Sequence, residues 1–193
     1  MQTSLWQVER MIGQAGENSP DPIALAQRGD VEAIGVLYDQ HHEALFRYIW
    51  SRTGDRDLAE DLTSDVFMRM LSALPNYRSS TAPFRAWLYR IARNLLVDYY
   101  RKEGGRKSVP LNHSVTLGDD DNPVSIVEHK LTLERAHHAL AKLDETQREV
   151  VALRFLGGLS LQEVATVLEK SENAIKALQH RGLTALRQAL AQP

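Results

Sequence analysis

Apolar residues in this chain recur at intervals of three and four positions, and sustained period-two alternation between turn signals is missing. Intervals of three and four place side chains on one face of an α-helix, whereas strands alternate with a period of two. The sequence therefore predicts an all-α fold. The first periodic run follows Asp30, a good N-cap residue, and ends at Gly54, with Ile34, Leu37, Tyr38, Leu45, Phe46, Ile49 and Trp50 expected on its apolar face.

Helix-breaking residues separate the later periodic runs. A second helix is expected at about 57–74, because Pro75 closes its apolar pattern. A third is expected at about 83–102, where Pro83 suits the first turn of a helix. Asp144 is an N-cap candidate for a later helix.

The composition changes at 106–123, "RKSVPLNHSVTLGDDDNP", which has Gly, Pro, Ser and Asp but no helical period. We interpret this stretch as a flexible linker. It follows an N-terminal extension at 1–19 and a helical domain at 20–105, and it precedes a second helical domain at 124–193. The predicted architecture is therefore two small helical domains joined by a flexible linker.

The second domain ends in a pattern typical of a helix-turn-helix. Ser160 and Glu163 have the spacing of a capping box, and Ser171 can cap the next helix. Such a unit places its second helix in the DNA major groove. Glu169 lies where the turn commonly has Gly, and a left-handed non-glycine residue costs about 1 kcal/mol. A plain helical hairpin that binds nothing is the alternative. Candidate DNA-binding residues are Arg154, Ser171, Glu172, Asn173, Lys176, His180 and Arg181.

The third helix, "PFRAWLYRIARNLLVDYYRK", is basic and aromatic although the whole chain has a formal net charge of only −2. Arginines bind phosphates, and an unpaired base stacked on an aromatic ring gains roughly 1–3 kcal/mol. This combination suits single-stranded DNA better than duplex DNA, and a solvated basic face over an ordinary core is the alternative. Candidate DNA-binding residues are Tyr77, Arg78, Ser79, Ser80, Arg90, Arg93, Asn94 and Arg101, whereas Trp87 is assigned to the core.

The sequence lacks the patterns expected of an enzyme. Cysteine is absent, which excludes disulfides, thiol catalysis and cysteine-ligated zinc. Glu134 and His137 have a carboxylate-metal spacing, but the second copy that such sites need does not occur. His41-His42-Glu43 does not fit a zinc protease motif, and a glycine-rich phosphate loop is missing. We therefore predict no catalytic residue, no metal and no cofactor.

The chain has no apolar run of membrane-spanning length, and its first residues do not resemble a secretory signal. These features predict a cytoplasmic location without membrane insertion. A conventional helix-turn-helix regulator, acting on duplex DNA without being a polymerase subunit, fits the same composition.

Four stretches follow one another along the chain: "GDVEAIGVLYDQHHEALFRYIW", "DLAEDLTSDVFMRML", "PFRAWLYRIARNLLVDYYRK" and "LDETQREVVALRFLGGLSLQEVATVLEKSENAIKALQHRGLTALR". In content and order they resemble the small, two-domain sigma factors of bacterial RNA polymerase, the extracytoplasmic-function group. The resemblance covers most of the chain from Asp21 to Leu190. It implies a protein that binds core RNA polymerase, recognises and melts specific promoters and directs transcription initiation.

The resemblance also implies roles for particular segments. Tyr77 to Ser80 fall in the family's specificity loop for the melted minus-ten promoter element, and Asn94 falls in its base pocket. The helix after Ser171 would read the duplex minus-thirty-five element. The acidic run 119–121 in the linker would mimic nucleic-acid charge, or would be a solvated spacer, and an anti-sigma factor is a further possible partner. The polymerase-binding residues would be Asp57, Leu58, Asp61, Leu62, Asp65, Phe67 and Met70.

Overall fold

Helices make up all the regular secondary structure in the residues that this computed structural model describes, 21–102 and 138–191. The predicted all-α class is confirmed. The expected N-terminal extension, the linker with its acidic run 119–121, and the helix expected from about residue 124 lie outside the described residues, apart from a helical end at 138–141. The helices are α1 Pro22–Ala26, α2 Val31–Thr53, α3 Arg56–Ala73, α4 Phe84–Lys102, α5 Glu145–Val151, α6 Leu161–Leu168 and α7 Glu172–Ala191.

Among the described residues, 21–40 belong to one compact unit and those from 41 onward belong to another. In the first unit, the carboxylate of Asp30 accepts a hydrogen bond from the amide of Ala33 at 2.9 Å, which confirms the predicted cap of α2. Leu37 is buried, but Tyr38 is 42 % exposed, so its expected place on the apolar face is wrong.

In the second unit, residues 41–102 form the N-terminal module, in which the rest of α2 precedes α3 and α4. Leu45, Ile49, Val66 and Leu88 are fully buried in its core. Each such side chain contributes roughly 1.5–3 kcal/mol when it leaves water. Gly54 ends α2 with a φ of 68°, a left-handed conformation that glycine adopts without strain.

Local capping groups fix the starts of α3 and α4. Asp55 caps α3 by accepting from the amide of Leu58 at 3.1 Å. The carbonyl of Pro83 accepts from the amide of Trp87 at 3.0 Å, so Pro83 lies just before α4 rather than within its first turn. The chain leaves α3 through one 3-10 turn, Leu74–Asn76, which contains Pro75. The two predicted helix boundaries are therefore correct to within about a residue.

Residues 138–191 form the C-terminal module, in which α5 continues into one turn of π-helix at Ala152–Leu156 and then α6 and α7. Asp144 caps α5 as predicted, accepting from the amide of Gln147 at 2.9 Å. At Gly182, α7 runs so close to α5 that an added Cβ would lie 2.8 Å from Cγ2 of Val151. Glycine is therefore required at that position for the two helices to pack.

The two modules pack directly on each other within the second unit. Tyr89, on α4, is 1 % exposed and donates from its hydroxyl to the carbonyl oxygen of Gly157 at 3.1 Å. A Cβ on Gly157 would lie 2.7 Å from the ring of Tyr89. The sequence predicted two domains on a flexible linker and did not predict this contact.

Candidate nucleic-acid interface

The helix-turn-helix predicted at the end of the chain is present. The hydroxyl of Ser160 accepts from the amide of Glu163 at 3.1 Å, and the carboxylate of Glu163 accepts from the amide of Ser160 at 2.7 Å, which completes the capping box. Ser171 caps α7 through the amide of Ala174 at 3.3 Å. Glu169 ends α6 with φ 54° and ψ 43°, so the turn keeps its left-handed residue despite the steric cost of a side chain.

The N-terminal half of α7 presents a polar face to solvent. Ile175 is fully buried against the rest of the module and fixes the rotation of the helix. This orientation leaves the predicted base-reading and phosphate-binding residues of α7 exposed together: Ser171, Glu172, Asn173, Lys176, His180 and Arg181. Side chains at the N-terminal end of such a helix are the ones that reach base edges in the major groove.

Arg154 forms hydrogen bonds within the C-terminal module. Its guanidinium donates from Nε to the side-chain oxygen of Gln179 at 3.0 Å and from Nη1 to the carbonyl oxygen of Leu159. These bonds connect the segment before α6 to α7. The predicted phosphate contact of Arg154 would therefore have to share the guanidinium with these internal bonds, which position α7.

The loop before α4 is exposed except at its aromatic residue. Arg78, Ser79 and Ser80 are exposed, as a DNA-contacting loop requires. Tyr77 is 7 % exposed, and its hydroxyl donates to the carbonyl oxygen of Ala82 at 2.8 Å. Its ring packs against Trp87 with centroids 4.8 Å apart. The predicted stacking of Tyr77 on an unpaired base would require this ring to leave the aromatic cluster of the core.

The four predicted DNA-binding residues of α4 divide into two pairs. Asn94 and Arg101 are exposed, and Arg101 also pairs with Asp98 at 3.1 Å. Arg90 pairs with Glu169 of the C-terminal module at 3.1 Å. Arg93 is half-buried and lines a cavity of about 750 Å³ between the modules.

The acidic helix α3 presents a negatively charged stripe, defined by Asp57, Asp61 and Asp65, all of which are exposed. Their spacing of four residues places them on one face. Of the apolar residues expected to join them, Leu58 is partly exposed, whereas Leu62, Phe67 and Met70 are buried at 7 %, 6 % and 1 % exposure.

Sequence reasoning missed Met68, which is 64 % exposed and lies three residues after Asp65. Helical spacing from the acidic stripe could have identified it, because residues three apart share a helix face. An exposed, flexible thioether beside carboxylates is suited to contacting a partner with both apolar and basic groups.

Burial changes the protonation of two groups near the module boundary. It lowers the pKa of His41, and the nearby Arg85 lowers it further while Glu163 opposes both effects. Burial also raises the pKa of Tyr48, with the negative charge of Glu149 as the next cause. Tyr48 therefore stays a neutral hydrogen-bond donor, and His41 favours its neutral form.

No group of three or more metal-ligating side chains comes together within 21–102 and 138–191. In the same ranges the helices are too short or too polar to cross a membrane.

Each of the two modules matches a known protein family. The Sigma-70 region 2 family matches residues 37–106, and the Sigma-70 region 4 family matches residues 139–188. These matches contain the basic helix α4 and the helix-turn-helix, respectively.

Individual relatives match over most of the chain. The ECF RNA polymerase sigma factor BldN of Streptomyces coelicolor is 38 % identical over 166 residues, which are 86 % of this chain and 63 % of BldN, so the chain spans less than two thirds of that relative. SigX of Bacillus subtilis is 31 % identical over 161 residues, covering 81 % of this chain and 82 % of SigX. The structure of CnrH in complex with the cytosolic domain of CnrY superposes with a TM-score of 0.68 at 29 % identity, covering 88 % of this chain and 94 % of that one.

Proposed function

The chain belongs to the extracytoplasmic-function sigma factors of bacterial RNA polymerase, and from this premise we propose that it binds core RNA polymerase, recognises and melts specific promoters and directs transcription initiation. The observation that carries the proposal is the pairing of two distinct polar surfaces in one chain. One is the basic helix α4 with its exposed loop, and the other is the capped recognition helix α7. Each suits a different form of DNA, one opened and one duplex.

We assign polymerase binding to the acidic stripe of α3 together with Met68. Three exposed carboxylates on one face attract and orient a basic partner surface, and an exposed methionine adds apolar area. The buried residues of α3 support this surface from below. Their substitution would act through the fold rather than through direct contact.

We assign the melted minus-ten element to Arg78, Ser79, Ser80 and the exposed face of α4. Asn94 is exposed, and its side-chain amide can donate to and accept from one base edge at the same time. Arg90, Arg93 and Arg101 supply phosphate-binding charge. Tyr77 has a supporting role, since its buried ring anchors the loop.

We assign the duplex minus-thirty-five element to the exposed residues of α7. Asn173 and Lys176 lie where base edges come within reach, and Arg181 is suited to a phosphate. Arg154 contributes by positioning α7.

Partners follow from this function. Promoter DNA and core polymerase imply a cytoplasmic location, and RNA synthesis itself belongs to the polymerase, so the chain acts without catalytic residues of its own. CnrH was solved with the cytosolic domain of CnrY bound. By analogy, we include an anti-sigma protein among the expected partners of this chain.

The test is retention on purified core polymerase, followed by run-off transcription on a genomic promoter library. The wild-type chain should bind core polymerase stoichiometrically and yield discrete transcripts. Asp61→Arg combined with Asp65→Arg should abolish retention while circular dichroism stays unchanged, because both residues are exposed and reversing their charge repels a basic partner. Glu43→Arg, an exposed charge reversal on α2, is the matched control and should bind normally.

A wild-type chain that binds duplex promoter DNA but is not retained on polymerase would instead support a conventional helix-turn-helix regulator. Normal retention of the double arginine variant would remove the acidic stripe from the interface.

A further inference from the structure

The cavity of about 750 Å³ between the N-terminal and C-terminal modules is left unused by the promoter and polymerase surfaces assigned above, apart from Arg93. Pockets that hold small organic molecules have volumes of about 300–1,000 Å³ and combine apolar walls with a few polar groups. The charged side chains that line this cavity are four cations and two carboxylates: Arg52, Arg93, Arg148, Lys170, Glu145 and Glu149. The lining is therefore positively charged, although the whole chain has a formal net charge of −2.

Both carboxylates of the lining are already paired with the same arginine. Arg52 is 7 % exposed, and its Nη2 pairs with Glu149 at 3.2 Å and with Glu145. Glu149 also accepts a hydrogen bond from the hydroxyl of Tyr48 at 2.6 Å. By contrast, Nε and Nη1 of Arg52 are buried and have no hydrogen-bond partner within the described residues. A buried donor without an acceptor is costly, so this wall of the cavity favours additional negative charge.

Two of the other cations keep their charged groups available to a ligand. The guanidinium of Arg148 already donates to three carbonyl oxygens of the segment 140–143. Arg93 is half-buried and Lys170 is exposed, and neither side chain has a hydrogen bond or ion pair within the described residues. Arg93 belongs to α4 and Lys170 to the turn before α7, so an anion held by both would contact both modules.

The rest of the lining is apolar. Leu96 and Val97 of α4, together with Leu143 and Leu168 of the C-terminal module, contribute aliphatic surface, and Tyr100 contributes an aromatic ring. Val97 is 51 % exposed, so part of this apolar surface is still in contact with water. An inorganic ion would use only the cations of the lining. An organic anion with an apolar body would also gain free energy by covering the apolar side chains.

We propose that this cavity is a binding site for a small organic anion, whose charged head is held by Arg93 and Lys170. Its apolar body lies against Val97, Leu143 and Leu168. A guanidinium binds a carboxylate or a phosphate through two parallel hydrogen bonds, and an ammonium group adds a point charge. The inference goes beyond the proposed function, because the ligand is neither DNA nor polymerase.

Isothermal titration calorimetry of the full chain with four probes separates the contribution of the head from that of the body. 1-Naphthyl phosphate has an aromatic body, decanoate below its micelle-forming concentration has an aliphatic body, inorganic phosphate is a head alone and 1-naphthol is a body alone. At least one of the two organic anions should bind saturably with one molecule per chain, and more weakly at higher salt. Inorganic phosphate and 1-naphthol should each bind at least tenfold more weakly than that anion. The organic anion with the higher affinity identifies the kind of body that the cavity accepts.

Substitutions in the lining locate the bound anion. Arg93→Gln should weaken binding roughly tenfold, because a charge-assisted hydrogen bond is lost. Lys170→Gln should weaken it by about twofold to fivefold, since an exposed charge is screened by water. Val97→Trp fills the cavity with an indole ring and should abolish binding. The matched controls, which are exposed and outside the lining, should bind like the wild type: Arg187→Gln, Lys142→Gln and Val36→Trp.

Nuclear magnetic resonance gives a second reading that does not depend on how well Val97→Trp folds. A saturating concentration of the bound organic anion should shift the amide signals of Val97, Tyr100 and Leu168 in the wild type and leave that of Glu43 unchanged.

Three results would overturn the site: no saturable binding of either organic anion, binding of inorganic phosphate or 1-naphthol as tight as that of the organic anions, or unchanged affinity in Arg93→Gln and Lys170→Gln. Shifted amides only outside the cavity lining would do the same. These measurements use the chain without DNA or polymerase. The proposed function fails on a different result, which is a wild-type chain that core polymerase does not retain.

Discussion

The side chains of Tyr77 and Asn94 are close in sequence and differ in what they offer to a ligand. Tyr77 uses its ring for the core and its hydroxyl for Ala82, whereas Asn94 is exposed and keeps its amide for another molecule. A side chain that is already hydrogen-bonded and packed must give up those contacts before it can bind a ligand, whereas an exposed side chain need not. Exposure therefore divides residues that the sequence grouped together.

Asn94→Ala should leave stability within about 0.5 kcal/mol, since it is an exposed substitution. It should depress open-complex formation, measured as the loss of permanganate-reactive thymines near the start site. Tyr77→Phe should show the opposite pattern. It leaves the carbonyl of Ala82 unpaired, which costs about 1–3 kcal/mol in urea unfolding, and it should retain a normal footprint. A Tyr77→Phe protein with full stability and a weak footprint would show that the hydroxyl acts on the opened DNA rather than on Ala82.

His41 predicts a pH dependence of stability. Its folded-state pKa lies below the ordinary value because of burial, so the unfolded state binds more protons as the pH falls through about 6.5. The contribution of His41 is therefore complete at neutral pH and is lost as the pH falls towards the folded pKa. Urea unfolding midpoints of the wild type should fall relative to those of His41→Gln between pH 7 and pH 5. If the unfolding midpoints of both proteins changed in parallel with pH, the lowered pKa of His41 would be contradicted.

At the scale of whole helices, the position of α7 depends on contacts outside its reading surface. Ile175 sets its rotation, Arg154 connects it to the segment before α6, and Gly182 lets it approach α5. The exposed residues of α7 can specify bases only after these contacts have placed them.

Lys176→Ala and Arg154→Ala should separate reading from positioning. Lys176→Ala should leave stability unchanged and cost about 1–3 kcal/mol of binding, with relaxed preference at one position of the upstream element. Arg154→Ala removes the donor to Gln179, so it should lower stability and weaken all sequences alike. Selection from a randomised upstream element measures both effects, with the exposed Arg187→Ala as the control. A change of base preference in Arg154→Ala would make Arg154 a reader.

At the scale of the whole molecule, the helix caps could be predicted from the sequence, whereas contacts between residues far apart in the chain could not. Asp30, Asp144 and Ser160 cap helices through bonds to residues three positions away, so their sequence context suffices. Tyr48 and Glu149 are separated by 101 positions, and no periodicity connects them. The family resemblance also grouped Leu62 with surface residues of α3, although this side chain is only 7 % exposed.

Docking of the modules predicts cooperative unfolding. The wild type should give one calorimetric transition, because the two modules share the buried ion pair between Arg52 of α2 and Glu149 of α5 at 3.2 Å. Glu149→Gln should lower its midpoint and separate it into two transitions, since Arg52 then loses its buried partner. Glu60→Gln should change stability by less than about 1 kcal/mol, as is usual for a surface pair. A single unshifted transition in Glu149→Gln would show that docking adds no cooperativity.

The length of α7 has a consequence for how such proteins diversify. The helix has 20 residues, or about 30 Å, and its two halves have separate duties. Gly182 and Leu186 pack in the C-terminal half, whereas Asn173 and Lys176 are exposed in the N-terminal half. Mutations can therefore accumulate at the reading end without disturbing the packed end. Duplicated copies of the gene could acquire new target sequences while retaining the same scaffold, so promoter choice is open to evolutionary change at small structural cost.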